Sequence, residues 1–167
     1  MTKSKKFTLL ATGIITSSLI LFPFFTKNTS IINCDKYVVE RVIDGDTIKV
    51  QGCDSYLTIR LLGVNTPETV APNKDVECYG KNASDYTKNK LTNKSVKLVK
   101  DLYNDADRYG RLLRYVELDG VDYNAELVGL GLAKVNGYGH KFEREESYKI
   151  LESQAIDNGM GLWYYCK

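Results

Sequence analysis

Apolar and polar positions alternate across residues 37–43, and Val38, Val39, Val42 and Ile43 make the segment rich in β-branched side chains. That two-residue period predicts a strand. Asp44-Gly45-Asp46 reads as a turn, because Asp-Gly tolerates positive φ, and Thr47 to Val50 resumes the extended pattern. Gly52-Cys53-Asp54 marks the next turn, and Tyr56 to Val64 makes a third strand. Asn65 to Val76, carrying Pro67 and Pro72, is a loop. Residues 79–93 are polar with Ala83, Tyr86 and Leu91 on one side, which predicts a helix. Ser95 to Leu102 and Leu112 to Leu118 are two more strands, separated by a charged loop. Asp119-Gly120 turns the chain into a short helix around Asn124 to Leu132. Glu143 to Asn158 is the last helix, with Tyr148, Ile150, Leu151 and Ala155 as its inner side. Gly159 can take the left-handed conformation that closes it.

Five short strands, a helix after the third and helices at the end predict an α+β fold. Its expected form is a five-stranded Greek-key β-barrel of the OB-fold type with about three helices. This domain is expected to occupy residues 31–167.

Residues 1–30 follow a different pattern. Lys3, Lys5 and Lys6 precede a run without charge from Phe7 to Phe25, 19 residues long. A basic start before an apolar run is an export signal. The run is long for a cleaved leader and just short of the ~20 residues that span a bilayer. Two readings stay open: a cleaved signal peptide, or an uncleaved anchor holding the protein to the membrane through residues 7–25. Either places the domain outside the cytoplasmic membrane, secreted or anchored on its outer side.

Export changes how the cysteines are read. Cys34, Cys53, Cys78 and Cys166 all follow the leader, and an even count in an exported chain suggests two disulfides. Four cysteines allow three connectivities. Cys34 precedes the first strand and Cys53 lies in the turn ending its hairpin partner, which favours Cys34–Cys53 and leaves Cys78–Cys166. With His140 the sole histidine and no C-x-x-C spacing, a structural zinc site is not expected.

The leader also changes the meaning of the charge. The whole chain carries 23 basic and 21 acidic residues, a formal +2. Lys3, Lys5, Lys6 and Lys27 belong to the leader, which has no acid, so residues 31–167 hold 19 basic and 21 acidic residues, or −2. Such a domain cannot hold a polyanion by its overall field and would have to do so locally.

Three segments concentrate acids and arginines in turn contexts: Val42-Ile43-Asp44-Gly45-Asp46-Thr47-Ile48, Ile59 to Thr69, and Asp107-Arg108-Tyr109-Gly110-Arg111-Leu112. If residues 46–50 and 56–64 form a hairpin centred on Cys53, Asp46 and Arg60 are each seven positions from the centre and near-opposite neighbours. Asp46, the Asn65 side chain and a backbone carbonyl near Thr66 offer the oxygen donors that a hard cation such as Ca²⁺ takes. Glu68 offers a carboxylate base, while Arg60 and Arg111 offer a bidentate phosphate clamp. Phosphodiester hydrolysis needs an activated water, charge compensation on the phosphate oxygens and in-line geometry, which such a set can serve. Taken singly, these features read as a surface salt bridge across a hairpin, an ordinary turn before a loop and a solvated loop charge.

Together they resemble a known family. Val-Ile-Asp-Gly-Asp-Thr-Ile, Ile-Arg-Leu-Leu-Gly-Val-Asn-Thr-Pro-Glu-Thr and Asp-Arg-Tyr-Gly-Arg, in this order and spacing, closely resemble the staphylococcal nuclease (thermonuclease) family. The resemblance continues through Glu77-Cys78-Tyr79-Gly80, Asn124 to Val128, Gly131 to Val135 and Gly161-Leu162-Trp163. It implies a Ca²⁺-dependent nuclease acting on DNA and RNA, which cuts the 5′ P–O bond and leaves 3′-phosphate ends. It further implies Asp46 as a Ca²⁺ ligand, Thr66 as a ligand through its backbone carbonyl, and Glu68 as the general base or water-orienting residue. Arg60 and Arg111 would hold the phosphate, and Tyr109 would bond a terminal phosphate. A monomer is expected.

Two departures from the family pattern stand out. The second carboxylate ligand of the family falls at Asn65, which still offers a carbonyl oxygen but no charge. The base-stacking tyrosines follow the Leu-Ala-Lys-Val segment, and here that stretch is Asn136-Gly137-Tyr138-Gly139-His140, with Tyr138 about one residue off register. These departures motivate an alternative: a non-catalytic nucleic-acid-binding module of the same fold.

Overall fold

A computed structural model describes residues 36–69 and 75–166. The expected leader of residues 1–30, with its segment 7–25, lies outside the described residues, as does Cys34 of the expected Cys34–Cys53 pair. Among the described residues no helix is long and apolar enough to cross a membrane.

The barrel is built from β1 (Tyr37–Asp44), β2 (Thr47–Gln51), β3 (Tyr56–Leu61), β5 (Ser95–Lys100) and β6 (Leu112–Leu118). β1 pairs antiparallel with β2 and with β5, β2 with β3, and β5 with β6. A parallel pairing of β3 with β6 closes the cylinder, Ile59 opposite Leu112 and Leu61 opposite Arg114. Closure leaves no open edge among these five strands. Between β3 and β5 come β4 (Val64–Asn65) and helix α1 (Gly80–Leu91). After β6 come β7 (Val121–Asp122), α2 (Tyr123–Gly129), β8 (Lys134–Val135), α3 (Glu145–Asp157) and a single helical turn, α4 (Leu162–Tyr165). The expected barrel with three main helices is what the chain forms.

Alternating residues fill the interior. Val39, Ile48, Val50, Ile59, Val96 and Val116 are all buried there. Each such side chain contributes about 1.5–3 kcal/mol when fully removed from water. Asn124 of α2 bonds the seam: its Nδ2 donates to the carbonyls of Leu62 (2.9 Å) and Arg114 (3.1 Å), and its Oδ1 accepts from Val116 N (3.1 Å). Asp122 caps α2 by accepting from Ala125 N at 3.1 Å. The same carboxylate accepts from Tyr148 (2.8 Å) and pairs with Arg144 (2.7 Å), so it also fixes the start of α3.

The structure corrects several sequence expectations. The third strand does not run to Val64. It ends at Leu61, and Gly63 turns with φ 79°. A Cβ there would lie 2.5 Å from the Phe142 ring, so the chain breaks where only glycine fits. Val64-Asn65 then pairs with Val135-Lys134 in a separate two-stranded sheet. The hairpin is not centred on Cys53: Gln51 faces Tyr56 and Thr47 faces Arg60, which puts the centre between Cys53 and Asp54. Ile150 is exposed rather than on the inner side of α3. At 100° per residue it points away from the face set by Tyr148 and Ala155.

Cys78 and Cys166 form a disulfide with a Cα–Cα distance of 5.8 Å. It ties the residue two before α1 to the residue that follows α4. Tyr79 and Tyr165 stack beside it with ring centroids 5.4 Å apart.

Candidate active site

The turn between β1 and β2 brings the first acids together. Gly45 sits against Thr66, where an added Cβ would lie 2.8–2.9 Å from the threonine side chain. Glycine is required here for space, since Gly45 is not among the positive-φ glycines that the Asp-Gly turn reading suggested. Thr87 of α1 holds this turn by donating to the Gly45 carbonyl at 2.7 Å.

That close approach lets Thr66 reach Asp46. The Oδ2 atom of Asp46 accepts from Thr66 N (2.8 Å) and Thr66 Oγ1 (3.0 Å), while Oδ1 accepts from Thr47 Oγ1 (3.0 Å). Gly45→Ala is therefore expected to push Thr66 away from Asp46. Stability should fall by about 1–3 kcal/mol, as for an overpacked contact. Thermal unfolding checks this, and an unchanged midpoint would refute it.

Arg60, only 4% exposed, lies at the centre of the site. Its Nη2 is 3.0 Å from Asp46 Oδ2 in an ion pair that is almost fully buried. The pair forms although Asp46 and Arg60 are not in register, because Asp46 belongs to the turn and escapes the strand's alternation. Nη1 donates to the carbonyls of Leu61 (2.9 Å) and Val64 (2.8 Å), which the break at Gly63 turns inward. Nη2 also donates to Asn65 Oδ1 (3.1 Å) and to the Tyr138 hydroxyl (2.7 Å). The Tyr138 hydroxyl in turn donates to Asn65 Oδ1 at 2.6 Å.

Glu68 accepts from Thr69 N at 2.9 Å. Glu77 braces its backbone on both sides: Glu77 Oε2 accepts from Glu68 N (3.0 Å), and Glu77 N donates to Glu68 O (2.9 Å). Arg111 is held by Asp107, whose Oδ2 accepts from Nε at 2.6 Å and whose Oδ1 accepts from Arg111 N at 3.0 Å. Burial alone would raise the Asp107 carboxyl. The bonds from Arg111 and from Tyr109 N outweigh that and hold it below its ordinary value.

Asp46, Arg60, Asn65, Thr66, Glu68, Arg111 and Tyr138 thus line one cleft of ≈ 310 Å³. Tyr109 is not part of that lining. It projects from the Asp107–Arg111 turn, 68% exposed, with Arg108 at 4.8 Å and Arg111 at 5.5 Å from its ring centre.

Sequence reasoning passed over two acidic lining residues, Asp44 and Glu77. Asp44 is buried and accepts from Thr69 Oγ1 (2.5 Å) and Gly45 N (2.8 Å). Its carboxyl is pushed up, first by burial and then by the neighbouring Asp46 charge and by Glu68, against the lowering effect of its two donors. The signal is present in Asp-Gly-Asp, where two acids flank one glycine, although only Asp46 of the two stands out there as an oxygen donor.

The donor chemistry fits a hard cation. Asp44 and Asp46 are buried carboxylates that repel each other, and the Thr66 backbone stands beside them; all are oxygen donors. Asn65 Oδ1 already accepts from Arg60 and Tyr138, so it faces cationic and hydroxyl donors. Among the described residues no group of three or more His, Cys, Asp or Glu side chains is placed to hold a metal ion. A cation here would keep waters in its shell.

The model of the family described as "Staphylococcal nuclease homologue" matches residues 58–165. The chain is 42% identical to the thermonuclease of Staphylococcus hyicus over 141 residues, covering 84% of this chain and 83% of that protein. It is 43% identical to the thermonuclease of Staphylococcus intermedius over 131 residues, 78% of this chain and 75% of that protein. With endonuclease YncB of Bacillus subtilis it shares 36% identity over 126 residues, 75% of this chain and 60% of that protein. Both the barrel and the matched length lead to one assignment: the chain belongs to the staphylococcal nuclease family.

Proposed function

We propose that this protein is an exported, Ca²⁺-dependent nuclease that hydrolyses DNA and RNA at the 5′ P–O bond and leaves 3′-phosphate ends. The observation that carries the reading is the convergence of Arg60, Arg111, Glu68 and the Asp44–Asp46 pair on one cleft. Membership of a nuclease family supports it. The fused leader of residues 1–30 supports export of the domain 31–167, as a secreted or membrane-anchored monomer.

The residues divide the work as follows. Arg60 and Arg111 present guanidinium donors to the phosphate oxygens and offset the charge that grows on them in the transition state. Asp107 orients Arg111 through its Nε edge. Glu68, braced by Glu77, orients a water in line with the 5′ oxygen and takes its proton as the O–P bond forms. The P–O5′ bond breaks, and the leaving oxygen takes a proton from solvent. Asp44, Asp46 and the Thr66 carbonyl would hold Ca²⁺, with Asn65 at its margin. Bound there, the cation would supply Lewis-acid stabilisation of the phosphate. Tyr109 stands beside Arg111 where a terminal phosphate would emerge, and Tyr138 lies at the substrate side of the cleft.

The test is cleavage of single-stranded DNA and RNA by the purified protein with millimolar Ca²⁺ and with chelator. Cutting in Ca²⁺ that chelator stops, and that Glu68→Gln reduces by at least about 10²-fold, is the expected result. Binding without cutting would support the alternative of a non-catalytic module, a reading motivated by Asn65. The domain's charge of −2 adds an expectation. With two arginines contacting phosphate, log affinity for single strands should fall against log salt with a slope of only about −1 to −2.

A further inference from the structure

Arg60 Nη2 carries two protons yet faces three acceptors: Asp46 Oδ2 at 3.0 Å, Asn65 Oδ1 at 3.1 Å and the Tyr138 hydroxyl at 2.7 Å. Nη1 is committed to two backbone carbonyls. A phosphate oxygen that binds Nη2 must therefore displace one of the three. Asp46 is the poorest candidate, since Thr66 N and Oγ1 also hold it. Asn65 is fixed in β4 by its pairing with Lys134. Tyr138 differs from both. It is 60% exposed, sits in the loop after β8, and has φ 51°, with Gly139 beside it at φ 81°. A non-glycine residue held in the left-handed region is strained. The loop holds it through Asn136, whose Oδ1 accepts from Tyr138 N at 2.7 Å. The ring also lies against the guanidinium, 5.5 Å from its carbon to the ring centre.

We propose that Tyr138 is an internal cap on Arg60: its hydroxyl occupies the phosphate-facing donor in the free protein and swings out when substrate binds. This rests on the reading of Arg60 as a phosphate ligand. The cap makes the binding-competent state a minority, and it raises the apparent dissociation constant by the reciprocal of that fraction. Asn65 is part of the device, because its carbonyl receives the Tyr138 proton while the hydroxyl accepts from Arg60.

The experiment measures KM and kcat for short single-stranded DNA, and the inhibition constant of inorganic phosphate, in the full chain and in Tyr138→Phe and Tyr138→Ala. Both variants lose the hydroxyl. The cap predicts that KM and the phosphate inhibition constant both fall by about three- to tenfold in each variant, with kcat falling much less or not at all. A rise in both constants in Tyr138→Phe would mean that the hydroxyl donates to substrate, and it would overturn the cap. An unchanged Tyr138→Phe with a raised KM in Tyr138→Ala would mean a base-stacking platform and would overturn it equally. A fall in kcat that tracks a lowered unfolding midpoint would mean a structural role only. If the full chain does not cut DNA at all, the nuclease reading fails by itself. Calorimetric titration of inorganic phosphate into the three proteins still decides the cap, by tighter binding in the variants or by no difference.

Discussion

Replacing Arg60 with lysine is expected to lower kcat/KM by about three orders of magnitude, the scale seen when a charge-stabilising donor is lost from a reaction site. The reason is geometric. One guanidinium fork reaches the carbonyls of Leu61 and Val64, Asp46 Oδ2, Asn65 Oδ1 and Tyr138 together. A lysine ammonium is a point charge at the end of a flexible stem and cannot span that set. The carbonyls would lose their donor inside the protein, and Asp46 would lose much of its compensation beside Asp44. Arg60→Ala goes further, because it leaves buried carboxylates without a cation, and it should cost about 3–5 kcal/mol of stability. Steady-state kinetics on Arg60→Lys and denaturant unfolding of Arg60→Ala measure the two effects. Activity of Arg60→Lys within tenfold of the unmodified protein would show that charge alone suffices at this position.

Asp101→Ala is expected to destabilise the fold by about 3 kcal/mol without touching the cleft, the cost of several buried donors losing one charged acceptor. Asp101 is 3% exposed at the end of β5. Its Oδ1 accepts from the Tyr115 hydroxyl (2.7 Å) and Glu143 N (2.9 Å). Its Oδ2 accepts from Tyr103 N (3.0 Å), Asn104 N (3.1 Å) and Asn104 Nδ2 (3.0 Å). One carboxylate thus joins the barrel to the segment that starts α3. Burial alone would raise its carboxyl, but these bonds together hold it below the ordinary 3.8. A depressed folded value means stability that is present above pH 3.8 and lost as pH falls through the lower folded value. The difference in unfolding free energy between the unmodified protein and Asp101→Ala should therefore be constant at neutral pH and shrink below about pH 4. A difference that persists undiminished to pH 2 would refute this account.

Arg60 stands out in the sequence because the expected hairpin sets it nearly opposite Asp46, in one of three segments that bear acids and arginines. Asp101 was invisible there. It ends an ordinary strand, and its donors come from residues 103, 104, 115 and 143, which no local pattern joins. Asp107 and Glu77 are intermediate cases. Both lay inside segments singled out by their residues, yet their roles in holding Arg111 and Glu68 depend on bonds seen only in the folded chain.

Local periodicity carried the barrel strands and the three main helices, since alternation and turn residues act over a few neighbours. Periodicity failed at Gly63 and at the two-residue strands β4, β7 and β8, which are too short to show a period and exist because tertiary neighbours pair with them. The joint spacing of three acid- and arginine-bearing segments pointed to the family and to the residues of the cleft. Only the tertiary structure decided how those residues are bonded. It set Thr66 against Gly45, brought Asp44 into the cleft and turned Tyr138 inward onto Arg60. These contacts join residues as many as 78 positions apart. Steric fit and hydrogen-bond satisfaction in the closed barrel select them, and sequence patterns of a few residues do not encode either.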